Sequence, residues 1–429
     1  MFVAFSLAGH GFWLLAFAAG RFAEQMATKV PLQPSQQVIR DHVHSLPRRF
    51  RQESANGLVA EWELRVGSQA FAISVRNHAC SVEPGAGSSP ATVITAHPDA
   101  WLAIDEGRLN GGDAFFARDL QVEGNLDLAV RLQTLFRPFR RARKAADLDQ
   151  VDVQADGVRL SCYVVGQGPP LLLLHGLGAS KITWLPILSA LAEDYRVIVP
   201  DLPGHAESDK PAADYSPRFY ARVARHLLDA MGVEQAAVLG NSLGGRIGLE
   251  LALRSPSRVS SLTLLDPSVP GFRWRYVMGF TKIFPSGFGA VPFPLRARMV
   301  EVMIKRLFAD PGRLSNDAFA AAAHEFVRIY RDPRARMAFF ASLRQIVTER
   351  PAPFFSTLRR IRQPTLVIFG ALDRLVPPRL GVKLVQHMPN ATLVLLPEVG
   401  HVPQFEAREE TLGRIRAFLD STPPGKLRS

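Results

Sequence analysis

Gly240-Asn241-Ser242-Leu243-Gly244-Gly245 lies between an apolar run, 236–239, and an amphipathic stretch, 243–253. A G-x-S-x-G pattern set between a strand and a helix puts its serine on a sharp turn, with the hydroxyl clear of the main chain. Side chains two positions to either side of such a strained turn would collide, which accounts for Gly240 and Gly244. Ser242 is a poor nucleophile near neutral pH unless a base takes its proton and a third group orients that base. The run 365–370 is followed at once by Ala371-Leu372-Asp373, so Asp373 falls in a loop at the C-terminal edge of a strand. The run 391–396 leads through Pro397-Glu398-Val399-Gly400 into His401. Serine, acid and histidine follow one another in the order expected of a strand–turn–helix nucleophile. Asp266, which ends the run 262–265, is a rival for the part of the acid.

Attack on a carbonyl creates an oxyanion that needs two N–H donors. One is expected from the amide of Leu243, where a helix begins and turns its free N–H groups and positive end toward the reacting centre. The other is expected from His175-Gly176-Leu177-Gly178, through the amide of Leu177, which leaves His175 a structural part. As a phosphate loop the same segment fails, because Gly-Lys-Ser/Thr is missing. His226, His324 and His387 stand in polar helical contexts and are expected at the surface. Cys80 and Cys162 form neither a disulfide framework nor a metal-ligand spacing, and read as small hydrophobes. Hydrolysis by a serine, histidine and acid calls for no metal and no organic cofactor.

The elements that must position these residues are legible as a period. From Val151 onward the apolar runs 171–174, 197–199, 236–239, 262–265, 366–369 and 393–396 are each bounded by Gly, Pro or Asp. Amphipathic stretches such as 219–231 and 409–419 lie between them. The alternation predicts an α/β domain over 151–422, a doubly wound and mostly parallel sheet with helices on both faces. Residues 268–357 interrupt it and are expected to form a helical lid. Its first part carries Phe272, Trp274, Tyr276, Phe280, Phe284, Phe288 and Phe293 among few charges.

With these residues in view, 155–420 closely resembles the α/β-hydrolase superfamily. The resemblance is carried by GQGPPLLLLHGLG, VIVPDLPGHAESD, VLGNSLGG, TLVIFGALDRLVP and PEVGHVPQFE. It implies that fold, with Ser242, Asp373 and His401 as the triad. Ala206 departs from the family's pattern, which has glycine there. Ser242 argues against the family's haloalkane dehalogenases and epoxide hydrolases, which carry aspartate at that point. Carbon–carbon bond hydrolases share the Gly-Asn-Ser elbow, but they usually follow the histidine with tryptophan, where this chain has Val402.

Upstream the grammar differs. Runs 58–66, 70–75 and 92–95 read as short strands, the first two separated by the turn 67–69. Asp99 is expected to cap a helix through Trp101, Leu102 and Ile104 that ends at Gly107. A strand at 119–124 follows, and Asn125 opens a helix with Leu126, Ala129, Val130, Leu132 and Leu135 at helical spacing. This smaller α+β module contains no catalytic cluster. Over 38–137 it resembles the sterol-carrier-protein type lipid-binding domain, through TVITAHPDAWLAIDEGRLN and AFFARDLQVEGNLDLAVRLQTLF. The resemblance implies a hydrophobic tunnel for sterols or acyl chains. The alternative is an accessory domain whose interior is filled by its own side chains.

At 429 residues the chain is long enough for both domains. They are joined by a basic linker, 138–150, within the arginine-rich stretch that starts at Arg137. The net charge of +12 favours anionic surfaces. Without a zinc finger, an aromatic RNA-binding motif or a long basic helix, nucleic acid is not an expected partner, whereas a membrane surface is. Residues 2–20, within an apolar N-terminal segment 1–27, are almost uncharged up to Arg21 and just reach spanning length. A membrane anchor, an atypical signal peptide and a buried or surface-lying helix all fit them. The expected place is cytoplasmic or membrane-associated, of bacterial type. The expected activity is hydrolysis of lipophilic carboxylic esters through an acyl-enzyme. Carbon–carbon bond hydrolysis and a lipid carrier with little turnover stand as alternatives.

Overall fold

A computed structural model describes residues 36–55, 57–139, 148–271, 295–422 and 424–427. The apolar segment 1–27, most of the basic linker and the seven aromatics between Phe272 and Phe293 lie outside the described residues. No helix among the described residues is long and apolar enough to cross a membrane.

The N-terminal sheet is built from β1 (Ala60–Val66), β2 (Gln69–Arg76), β3 (Ala79–Pro84), β4 (Thr92–Ala96) and β5 (Leu120–Gly124), in the order β3-β2-β1-β4-β5. Only β1 and β4 run parallel. Alternate side chains of β1, β2 and β4 are buried, the period-2 signature of a sheet with one face on the core. Strand β3 was not foreseen. As an edge strand it is half-exposed along its length, so burial never wrote an apolar pattern into it. The following helix spans Pro98–Asp105, and its N-cap is His97 rather than Asp99, which sits inside the first turn. Pro98 explains the shift, since its fixed φ and missing N–H suit the first helical position. Gly107 ends that helix at φ 71°. Asn125 caps the helix Leu126–Thr134 by accepting the Leu128 amide at 3.1 Å.

The larger sheet follows: β6 (Asp149–Ala155), β7 (Val158–Val165), β8 (Pro170–Leu174), β9 (Arg196–Pro200), β10 (Val233–Asn241), β11 (Val259–Leu265), β12 (Thr365–Gly370), β13 (Ala391–Leu396) and β14 (Lys426–Leu427). Its order is β13-β12-β11-β10-β8-β9-β7-β6, with β14 pairing beside β10. The strands from β9 to β13 along this order run parallel, and the β6–β7 hairpin adds an antiparallel margin. Strands β8, β11 and β12 are buried along their whole length, which is why they read as unbroken apolar runs. β6 begins at Asp149, inside the stretch read as linker. At the other end of that stretch, Phe139 stacks on His42 at 3.7 Å. Between β11 and β12 the chain makes a helical cap, described from its helix Ala297–Lys305 through Asn316–Ile329, Pro333–Thr348 and Pro351–Thr357.

The two units share one interior. A continuous apolar cluster runs from Ile39, Trp62 and Ile73 to Trp184, Leu171 and Val197. Polar contacts reinforce it: Asp113 accepts from Ser189 at 2.6 Å and from Arg408 at 2.7 Å.

Candidate active site

Parallel strands deliver their C-terminal ends to one rim, and three of those ends supply the polar groups. At the end of β10 the chain turns at Ser242, whose backbone sits at φ 53° and ψ −114°. A non-glycine residue held there costs on the order of 1–3 kcal/mol. The turn is tied down by the Ser242 amide donating to the Leu265 carbonyl and its carbonyl accepting from Ser268, both at 2.9 Å. A Cβ on Gly240 would collide with the Gly244 carbonyl, and one on Gly244 with the Leu174 carbonyl. The helix Leu243–Arg254 can leave the turn at this angle only because both are glycines.

Asp373, beyond β12, and His401, beyond β13, meet: His401 Nδ1 lies 2.7 Å from Asp373 Oδ2, and both are buried. The other oxygen, Oδ1, accepts the amides of Leu375 and Val376 at 2.7 and 2.9 Å. These bonds assign Nδ1 as the protonated nitrogen of neutral His401 and leave Nε2 as the acceptor. Asn241, next to Ser242, donates through Nδ2 to the carbonyls of Leu265 at 3.1 Å and His401 at 3.3 Å. The serine turn and the histidine loop are therefore fastened together through one amide side chain.

The loop after β8 lies against the same turn. A Cβ on Gly176 would stand 3.3 Å from the Ser242 Cβ. The amides of Leu177 and Leu243 donate to no acceptor among the described residues. His175 is structural: it accepts the Leu202 amide at Nε2 (2.9 Å) and donates from Nδ1 to the Gly176 carbonyl (2.8 Å). Burial pushes its pKa down to about 4, so it stays neutral. His205 beside it is also pushed down by burial, to about 3. Ala206 sits at φ 38°, a left-handed backbone that explains why the family's pattern carries glycine there. Of the three histidines expected outside the site, His324 is exposed, His226 lies 3.4 Å from Asp156, and His387 packs on Phe355. Burial raises both thiols, that of Cys80 up to about 12 and that of Cys162 further, so neither supplies a thiolate.

Asp266 ends β11 in the same pocket. Its Oδ1 accepts the Gly370 amide at 3.0 Å, while Oδ2 finds no donor among the described residues. Complete burial, and then the nearby Asp373 carboxylate, push its pKa well above the usual carboxylate range. Burial and the neighbouring carboxylate therefore both favour the protonated form of Asp266. Ligand-type atoms of Asp266, Asp373 and His401 lie within 4.8 Å of one another. The 2.7 Å His401–Asp373 separation is a hydrogen bond, shorter than the about 3.3 Å edge of a tetrahedral zinc site with bonds of about 2.0–2.1 Å.

Two groups had no role in the sequence reading. Leu307, in the cap, accepts the His401 amide through its carbonyl at 2.7 Å. Glu406 binds Gly400 through Oε2 (2.6 Å), and the cap amides of Ala309 and Asp310 through Oε1 (2.8 and 3.1 Å). A buried carboxylate thus clips the cap to the histidine loop. The signal was an acid five residues after the histidine in PEVGHVPQFE, and nothing local said what it would hold.

Comparison with known proteins agrees with the fold and with the order of the two domains. The α/β hydrolase fold model matches residues 169–408, more than half the chain, and the SCP-2 sterol transfer family matches 44–137. Lipase 1 of Psychrobacter immobilis is 33% identical over 256 residues, 58% of this chain and 77% of that one. A 2-hydroxymuconate semialdehyde hydrolase of Pseudomonas putida is 30% identical over 271 residues, 62% of this chain and 93% of that one. Among solved structures, a membrane phospholipase A described as a bacterial virulence factor superposes with a TM-score of 0.54. It is 28% identical, over 64% of this chain and 86% of that one. The chain is an enzyme of the α/β hydrolase fold family, with an N-terminal domain of the SCP-2 sterol transfer family.

Proposed function

We propose that the chain is a serine esterase for lipophilic acyl esters, with Ser242 as nucleophile, His401 as base and Asp373 as the group that orients it. The observation that carries this reading is the buried Nδ1–Oδ2 bond of 2.7 Å, which directs the basic nitrogen of His401 away from the acid. Ser242 Oγ attacks the ester carbonyl and passes its proton to His401 Nε2. The amides of Leu177 and Leu243 receive the oxyanion. The protonated imidazole then gives the proton to the departing alkoxide, leaving Ser242 acylated. Water, deprotonated by the same nitrogen, releases the acid and restores the hydroxyl. These residues complete the cycle among themselves.

The lipophilic substrate class is supported by the SCP-2 domain, which shares its interior with the hydrolase, and by the lipase and phospholipase among the relatives. In this reading the N-terminal domain raises the local concentration of lipid. The chain's positive charge favours work at an anionic membrane surface. A second reading, carbon–carbon bond hydrolysis, is favoured by the semialdehyde hydrolase at 30% identity.

A panel of p-nitrophenyl esters from acetyl to palmitoyl, with Ser242→Ala as control, tests the proposal. The expected result is kcat/KM rising with chain length and falling at least about 10³-fold in Ser242→Ala. Turnover confined to vinylogous diketones would establish the second reading. No Ser242-dependent turnover of either class would sink both.

A further inference from the structure

A partly open, mainly apolar cavity of about 100 Å³ lies in the N-terminal domain, lined by residues such as Ile94, Trp101, Ile104, Val122 and Leu132 and bounded by Leu185 of the hydrolase. Sites that bury an organic ligand run to about 300–1,000 Å³, so this space cannot by itself hold a long acyl chain. A second cleft, of about 580 Å³, lies between that domain and the hydrolase cap. Phe115 and Leu120 belong to the walls of both. The opposite wall of the cleft is the cap segment that carries Lys305, Pro311, Leu314 and Asn316. The same segment reaches the catalytic loop, because the Leu307 carbonyl accepts the His401 amide and Phe308 packs with Val402. One layer of side chains thus separates the cleft from the lipid-type cavity, and one stretch of backbone links its wall to the histidine.

The charge of the cleft is asymmetric. Arg118 lines it, is exposed, and finds no side-chain partner among the described residues. Lys305 on the far wall is held by Glu301 at 2.6 Å and Asn316 at 3.0 Å. Asp317 is the acid on that wall. The unpaired guanidinium matches a carboxylate or phosphate, for which arginine offers a planar pair of donors.

We propose that this cleft binds a long-chain amphiphile with an anionic head. The head rests at Arg118, and the tail passes between Phe115 and Leu120 into the N-terminal cavity. The cleft is then the passage by which lipid moves between the N-terminal domain and the cap. The ligand class rests on the lipophilic-substrate reading above; the site does not depend on Ser242 chemistry.

The test uses the full chain with Ser242→Ala, so that nothing is turned over, and a stearate carrying a terminal fluorophore. The probe is expected to bind and to be displaced by palmitate, at least tenfold less well by methyl palmitate, and not by inorganic phosphate. Arg118→Glu, which removes a charge-assisted contact, and Gln121→Trp, which fills the cleft from its exposed rim, are each expected to weaken the probe about tenfold. With Ser242 restored, both variants should lower kcat/KM for the palmitoyl ester and leave the acetyl ester unchanged. Full probe affinity in both variants would overturn the proposal, as would displacement by phosphate as effective as that by palmitate. Loss of ester turnover with probe binding intact would count against the esterase reading alone.

Discussion

Two buried clusters of carboxylates in this molecule meet opposite fates, and the difference is a cation. Where the N-terminal domain docks, Lys181 Nζ, only 1% exposed, lies 2.7 Å from Asp201 Oδ2 and 3.0 Å from Asp127 Oδ1. Tyr163 donates to the same Asp127 oxygen at 3.1 Å. Burial opposes charge on each partner, but the opposite charges at contact distance outweigh it: Asp127 is held below the usual carboxylate range and Lys181 above the usual amine range. In the pocket it shares with Asp373 and His401, Asp266 has no such partner. Burial and Asp373 act on it in the same direction, both toward the protonated form. The first cluster is a charged clamp between domains. The second sets one acid, without a cation, beside another whose oxygens already accept from His401, Leu375 and Val376.

The largest effect expected from breaking this contrast is at the two aspartates of the pocket. Asp373→Asn turns an acceptor of the His401 proton into an amide and permits the wrong tautomer. It should cost about 10³–10⁴ in kcat, the scale known for a triad acid. Asp266→Asn mimics the protonated form that burial favours, with an oxygen for Gly370 and a donor on the side of Asp373, so kcat should stay within about threefold. If the two responses were reversed, Asp266 would be the catalytic acid.

Next in size is the clamp. Lys181→Met leaves two carboxylates buried without a cation and should cost about 3–5 kcal/mol of stability, measured by denaturant unfolding. The triple variant Lys181→Met, Asp127→Asn, Asp201→Asn should regain most of that loss. Wild-type stability in Lys181→Met would remove the clamp from the account.

The smallest effect is in the pH dependence, and its sign differs between the clusters. Asp127, with its folded pKa lowered, adds stability that is present above the unfolded value and lost as pH falls through the folded one. Lys181, with its folded pKa raised, adds stability present below its unfolded value and lost as pH rises through the folded one. Both terms are flat near neutrality. Asp266, raised as well, adds stability that is complete only below its unfolded value of about 3.9 and declines above it. Asp266→Asn should therefore gain on the wild type as pH rises from about 4, by about 1.4 kcal/mol per pH unit while one proton is at stake. A stability difference independent of pH between 4 and 8 would mean that Asp266 ionises in the fold.

The contrast also marks what a sequence can say. The turn at Ser242, the placing of Asp373 and His401 beyond strand ends and the buried parallel strands were legible because each is written in neighbouring residues. The crowding of Gly240 against Gly244, the cap at Asn125 and the end at Gly107 are of the same local kind, whereas Gly244 is crowded by the distant Leu174 carbonyl. Lys181 carried no such mark: its partners lie at 127 and 201, and only the docking of two domains brings them together. The raised pKa of Asp266 is equally a product of packing, although its position at the end of β11 was visible. Strand β3 escaped because an edge strand buries too little to leave a pattern. Glu406 stood in plain sight, but two of the three amides it holds belong to the cap, almost a hundred residues earlier.

The central claim is that Ser242 is the nucleophile activated by His401, and covalent labelling tests it most directly. A long-chain fluorophosphonate should give a single adduct, mapped by peptide mass spectrometry to Ser242. Its formation should slow at least about 10²-fold in His401→Ala, because the base no longer takes the hydroxyl proton. An unmodified Ser242, or an adduct formed at the same rate without His401, would contradict the account.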